Sequence, residues 1–255
     1  MALILASNDD GIHAPGLQAL VGALDGMAEV YVVAPDRERS ATGRALTIHN
    51  PIRIKHMGGL RYSLTGTPTD CVAVGLSKVL PGRADLVVSG INHGPNLGDD
   101  ITYSGTVAAA MEGNILNVPS VAFSLAMGMN EEPHFDTAAA VARRIVGILL
   151  RKPLPYDTLL NVNIPNVPLG EIAGMRFTRQ GKRVYDEAIH ESRSPWGDTC
   201  YWIGGGTPFW EHGEDTDIKA VQDKFVSITP LQLDLTNYWA RGYLEEHWGS
   251  WTTEP

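Results

Sequence analysis

Asp9 and Asp10 are adjacent carboxylates that follow the apolar run Leu3-Ile4-Leu5 and precede Gly11. Successive strand residues face opposite sides, but a turn eased by Gly11 can bring both acids toward one point. Two carboxylates that close resist joint ionisation unless a positive charge lies between them. One hard divalent cation, Mg²⁺ or Mn²⁺, meets that need, and neutral oxygens from Ser40 and Asn92 complete an all-oxygen shell. In isolation, Asp-Asp-Gly is more commonly a solvated turn. Its place at the tip of the first strand, with two other polar tips alongside, argues for the ion.

Tyr103-Ser104-Gly105-Thr106 stands directly before the alanine-rich stretch Val107 to Glu112. A helix that begins there exposes free N–H groups and a partial positive charge, and the small residues allow close approach, so the segment reads as a phosphate cradle. Taken alone, it also reads as an ordinary N-cap by Ser104 or Thr106. Asn96, in the glycine-rich loop upstream, adds a neutral donor for a phosphoryl oxygen. His13 and His93 lie beside the acids as candidate acid catalysts, though backbone-bonded loop histidines are the commoner case. Arg37 and Arg39 fit either phosphate contact or solvation. Asp99-Asp100 reads as a solvated turn, and Asp70 as part of a helix start.

These residues need a scaffold that gathers them. Leu3 to Leu5, Val30 to Ala34, Leu86 to Val88, Val121 to Phe123 and Leu160 to Ile164 are short apolar strands. Helical spacing separates several of them: after Pro15, after Thr67-Pro68, from Thr106 to Leu116, and from Thr137 to Leu150. Continuous apolar strands alternating with helices predict a doubly wound, mostly parallel α/β sheet of Rossmann-like form. Ile52 to Lys55 and Arg61 to Leu64, around Gly58-Gly59, predict an inserted hairpin. In such sheets ligands bind beyond the carboxyl ends of the strands, where the residues above fall. The expected organisation is a catalytic core over 1–165. Residues 166–255 form an extension, not an independent domain, with strands at Met175 to Thr178, Cys200 to Ile203 and Phe225 to Ile228 and a last helix from Leu235 to His247. All six tryptophans lie in that extension, which suggests packing within it or, preferably, an oligomer interface.

The chain has 255 residues, 44% hydrophobic and 19% charged, enough to bury a large core without disulfides. Its two cysteines build neither a disulfide framework nor a zinc cluster. A formal charge of −9 argues against a nucleic-acid polymer as partner but leaves room for a small phosphorylated ligand. The N-terminal apolar run is too short for a signal peptide, and no stretch spans a bilayer, so the expected location is cytoplasmic, with no membrane partner.

Ser7-Asn8-Asp9-Asp10-Gly11 with Ala14-Pro15-Gly16, and Ala34-Pro35-Asp36-Arg37 with Ser40, resemble the SurE (survival protein E) nucleotidases. So do Gly66 to Cys71, Ser89-Gly90-Ile91-Asn92 with Gly94-Pro95-Asn96, Tyr103 to Thr106, and Val226 to Leu231. The resemblance implies a metal-dependent phosphatase of nucleoside 5′- and 3′-monophosphates, with some activity on short polyphosphate. It carries over Asp9, Asp10, Ser40 and Asn92 as metal ligands. Asn96, Ser104, Gly105 and Thr106 become the phosphate-binding positions, and Asp9, Asp10 and Asn96 the catalytic ones. It also implies a homodimer or homotetramer assembled through an extended hairpin and the C-terminal segment, both within 166–255.

Metal-assisted hydrolysis follows as the expected mechanism, directly or through an aspartyl-phosphate on Asp9. A dinucleotide-dependent oxidoreductase is the first rival, since Asp36 ends the second strand. Gly11-Ile12-His13-Ala14-Pro15-Gly16 lacks the G-x-G-x-x-G spacing, however. A non-catalytic nucleotide sensor is the second.

Overall fold

The computed structural model describes residues 1–128, 130–184, 189–203, 209–210 and 213–248. Its first half alternates strands and helices: β1 (Ala2–Ser7), α1 (Pro15–Ala23), β2 (Ala28–Pro35), β3 (Ile54–Gly58), β4 (Arg61–Leu64), α2 (Pro68–Val74), β5 (Leu86–His93), α3 (Gly105–Ile115), β6 (Ser120–Ala126), α4 (Phe135–Leu149) and β7 (Leu159–Pro165). β8 (Gly174–Phe177), β9 (Arg183–Val184), β10 (Ile189–Arg193), β11 (Thr199–Ile203), β12 (Phe209–Trp210), α5 (Asp217–Gln222), β13 (Phe225–Leu231) and α6 (Tyr238–Trp248) follow.

Nine strands form one sheet in the order β3-β4-β2-β1-β5-β6-β7-β13-β8. From β4 to β7 neighbours run parallel; β3 and β13 are antiparallel to β4 and β7. The predicted doubly wound α/β sheet is therefore present, with a mixed edge. Alternation along the strands explains the layers. Ile4 and Ala6 pack with Leu17 and Leu20 of α1 and Ile145 of α4 on one face. Leu5, between them, packs with Val72 of α2 and Ala109 of α3 on the other. Both faces are covered, so a continuous apolar run is what β1 requires. The chain winds from β1 out to β2, then returns to β5 on β1's other side. The carboxyl end of β1 is thus the topological switch point, where a crevice opens.

Local sequence sets the helix starts. Thr67 and Asp70 form a reciprocal capping box with Pro68 in the first turn, the role expected of Asp70. Ser104 caps α3 by accepting the Val107 N–H at 3.1 Å. One boundary departs from expectation: β5 does not end at Val88 but runs to His93. Its pairing with β6 shifts register between Ser89 and Asn92, so Gly90 marks a bulge and not a stop. There the backbone has φ +120°, and a Cβ would sit 2.2 Å from the Phe123 carbonyl oxygen.

Beyond β7, β13 and β8 widen the same sheet, while β10 and β11 form a separate antiparallel hairpin. Trp196, Trp202, Trp239 and Trp248 are exposed and α6 buries no residue; Trp239 stacks on Tyr243 of its own helix, and Trp202 Nε1 donates to Ser192 across the hairpin at 2.8 Å. Trp251 and the Trp210 side chain lie outside the described residues. No described helix is long and apolar enough to cross a membrane.

Candidate active site

Four segments meet at the carboxyl end of β1, and hydrogen bonds fix each of them. Asn8 braces the first: its Nδ2 donates to the Gly11 carbonyl at 3.0 Å, and its Oδ1 accepts the Gly11 N–H at 3.2 Å. Gly11 has φ +100°, and a Cβ there would press on the Arg37 backbone, so the turn needs glycine. The loop after β2 follows alongside. Arg39 N–H donates to the Asp9 carbonyl at 2.8 Å, and Gly43 N–H to that of Tyr103 at 3.1 Å. Ser40 is carried in between, its hydroxyl donating to Glu38 at 2.7 Å. From the end of β5, His93 N–H donates to Asp10 Oδ2 at 3.3 Å, and Asn92 Nδ2 to the Gly94 carbonyl at 2.9 Å. The fourth segment is the start of α3, where the Thr106 hydroxyl donates to Asp9 Oδ1. Gly105 lies so near that a Cβ would fall 2.7 Å from the Asp9 Cβ.

The result is a cavity of about 550 Å³. Asp9, Asp10, Ser40, Asn92, Asn96 and Ser104 all line it, as do Glu38, His93, Asp100, Tyr103 and Phe135. Gly105 and Thr106 are not in the lining; they pack behind Asp9, with the Thr106 hydroxyl turned onto that carboxylate. Arg37 and Arg39 are absent from it too, and the Arg39 guanidinium binds the Thr65 carbonyl at 2.8 Å. A second cavity of similar volume lies beside Pro119 and Thr158, at the other ends of β6 and β7, away from the carboxylate pair.

Electrostatics distinguish the first cavity. Asp9 is only 4% exposed, and burial, with Asp10 adding repulsion, pushes its carboxyl up to about 6; the Thr106 hydroxyl pulls the other way. Asp10 is raised as well, mainly by burial, with the Glu38 charge adding to it. Among the described residues the lining holds four carboxylates, on Asp9, Asp10, Glu38 and Asp100, and neither lysine nor arginine. A divalent cation would relieve that excess, and the donors it would meet are hard oxygens from Asp9, Asp10, Ser40 and Asn92. No described trio of His, Cys, Asp or Glu is placed to hold a metal, so a cation here would have two carboxylates and neutral oxygens to meet. The N-termini of α1, at Ala14 to Gly16, and of α3, at Ser104, also open on the cavity and favour an anionic group there.

Sequence reasoning passed over several of these groups. Asp100, expected in a solvated turn, lies in a 3₁₀ segment, Gly98–Thr102, that brings it to the cavity wall. Glu38 and Phe135 carry no sequence signal for a place in the wall, whereas Tyr103 belongs to the segment read as a phosphate cradle. Asn96 is held by residues of β6 and β7: its N–H donates to Asn163 Oδ1 at 2.9 Å and its Nδ2 to Ser124 at 2.8 Å. Its carbonyl accepts from Asn161 and Asn163 at 2.8 and 2.9 Å. The signal for this clamp was present, because two asparagines inside a fully buried strand demand partners.

A family model described as "Survival protein SurE" matches residues 4–187. The chain is 52% identical over 235 residues to a "5'-nucleotidase SurE" of Pelobacter propionicus, covering 92% of this chain and 95% of that protein. It is 50% identical over 246 residues to a "5'/3'-nucleotidase SurE" of Yersinia pestis, covering 96% and 95%. The crystal structure of the SurE protein from Aquifex aeolicus superposes with a TM-score of 0.85 at 44% identity, covering 96% of this chain and 98% of that one. With sequence, fold and site motifs in agreement, this chain belongs to the SurE family.

Proposed function

We infer that this chain is a phosphomonoesterase that hydrolyses nucleoside 5′- and 3′-monophosphates to nucleoside and phosphate, with short polyphosphate as a further substrate. Relatives half identical to it carry nucleotidase names. The observation that carries the reading is the Asp9–Asp10 pair, Asp9 buried and Asp10 half-buried, met in one cavity by Ser40, Asn92, Asn96 and the start of α3. In this reading Asp9, Asp10, Ser40 and Asn92 hold one divalent ion, Mg²⁺ or Mn²⁺. Such an ion, when bound, polarises a phosphoryl oxygen and makes water a better nucleophile.

The chain's own groups do the rest. Asn96 keeps one N–H of its amide beyond the bond to Ser124 and offers it to a phosphoryl oxygen. Ser104 and Gly105, at the start of α3, add the positive end of a helix, and Thr106 steadies Asp9. Asp9 or Asp10 orients the attacking water or takes its proton. The N-terminal 1–165 supplies every residue of this site. Residues 166–255 act as an extension that assembles a cytoplasmic homodimer or homotetramer. The exposed Trp202 on the β10–β11 hairpin and Trp239 and Trp248 on α6 support that role.

Phosphate release from a panel of nucleoside monophosphates, with Mg²⁺, Mn²⁺ and a chelator control, tests the reading. Release that requires the metal and is lost in Asp9→Asn is expected. Metal-independent release, or none from any nucleotide, would overturn it.

A further inference from the structure

Asn96, Asp100, Tyr103 and Ser104 reach the cavity from one stretch of chain, and Gly98 sits in its middle. Both backbone groups of Gly98 are gripped by side chains far away in sequence. Its N–H donates to Asp217 Oδ2 at 2.9 Å, and its carbonyl accepts from Gln180 Nε2 at 3.1 Å. Asp217 is fully buried, and its other oxygen, Oδ1, accepts the N–H groups of Gly181 at 2.8 Å and Ile218 at 2.9 Å. The cap of α5 is already provided by Thr216, which accepts the Lys219 N–H at 3.2 Å. Asp217 is therefore not needed as a helix cap, and its carboxylate joins three segments of chain, one of them the loop that serves the cavity.

We propose that Asp217, with Gln180, is a positioning residue: it holds the Gly98 backbone so that Asp100, Tyr103 and Ser104, which follow it, stand at fixed places in the cavity. The extension thereby has a part in turnover as well as in assembly. Asp217 touches no reacting atom and acts through the loop. The inference rests on the phosphomonoesterase reading for its effect on rate, but the clamp itself is a statement about the loop.

Asp217→Asn separates the two jobs of this side chain. Its single carbonyl oxygen settles on the paired local donors Gly181 and Ile218, which turns its NH₂ group against the Gly98 N–H and breaks that bond alone. Amide exchange by mass spectrometry or NMR should show the segment around Gly98 exchanging at least tenfold faster, with β1 and β5 as protected as before. Turnover should fall by about tenfold to a hundredfold, the displacement of a positioned group being the cause, with KM nearly constant. Mn²⁺ affinity should hold, because Asp9 and Asp10 are untouched.

Unchanged exchange at Gly98, or a loosened loop with turnover at the wild-type rate, would overturn the proposal. If Asp217→Asn does not fold, Gln180→Ala decides by the same readings, since it frees only the Gly98 carbonyl. Absence of phosphate release from the wild-type chain would refute the reading of the site, while the exchange arm still decides the clamp.

Discussion

Replacing Asp9 by asparagine should stabilise the metal-free protein while abolishing turnover. Burial, with the Asp10 charge beside it, moves the Asp9 carboxyl from 3.8 to about 6. The folded chain thus holds this proton more tightly than the unfolded chain does. Its favourable contribution is fully present below the unfolded value and is lost as pH rises through about 6. The displacement corresponds to about 3 kcal/mol at pH values above both. Asparagine has no charge to desolvate, and the Thr106 hydroxyl can still donate to its Oδ1. Near pH 8, without divalent ions, Asp9→Asn should be more stable than wild type by ~1–3 kcal/mol, raising the thermal midpoint by roughly 3–10 °C. Near pH 4 the gap should shrink toward zero, because wild-type Asp9 is then protonated. Added Mg²⁺ or Mn²⁺ should stabilise wild type and leave the variant unmoved. Calorimetric scans at the two pH values, with and without metal, measure all of this. A variant no more stable than wild type near pH 8, or a gap independent of pH, would refute the claim that the site holds an uncompensated charge.

Thr106→Val removes the donor that favours ionised Asp9, so Mn²⁺ affinity measured by titration calorimetry near neutral pH should fall about tenfold. Gly105→Ala places a methyl group 2.7 Å from the Asp9 Cβ, and the floor of the cavity must shift. Turnover should drop at least tenfold for a stability loss of about 1–3 kcal/mol in chemical denaturation. Metal affinity of the wild-type chain should weaken by about tenfold per pH unit below about 6, as protons compete for Asp9. A flat profile from pH 7 down to about 5 would count against Asp9 as a ligand.

The strands and the switch point were legible because burial on both faces forces continuous apolar runs, and such runs stand out. The acidic pair was legible for a related reason: carboxylates directly after an interior strand have little use as mere solvated turns. Less could be read at Gly90, where glycine looks like punctuation and in fact accommodates a bulge, carrying β5 five residues past Val88 to His93. The place of Asp100 at the cavity wall was not legible, because nothing in Gly98-Asp99-Asp100 says that a 3₁₀ turn will curl it back there. Asp217 was invisible altogether. Its partner Gly98 lies 119 residues away, and only the completed sheet, with β13 laid against β7, brings them together. The tryptophans gave composition without geometry, and the exposure of Trp196, Trp202, Trp239 and Trp248 emerged only from the fold.

Anomalous diffraction from crystals of this chain soaked in Mn²⁺ tests the central claim most directly. A single strong peak is expected, within bonding distance of oxygens from Asp9, Asp10, Ser40 and Asn92. Manganese bound only elsewhere, or touching just one of the two aspartates, would contradict it.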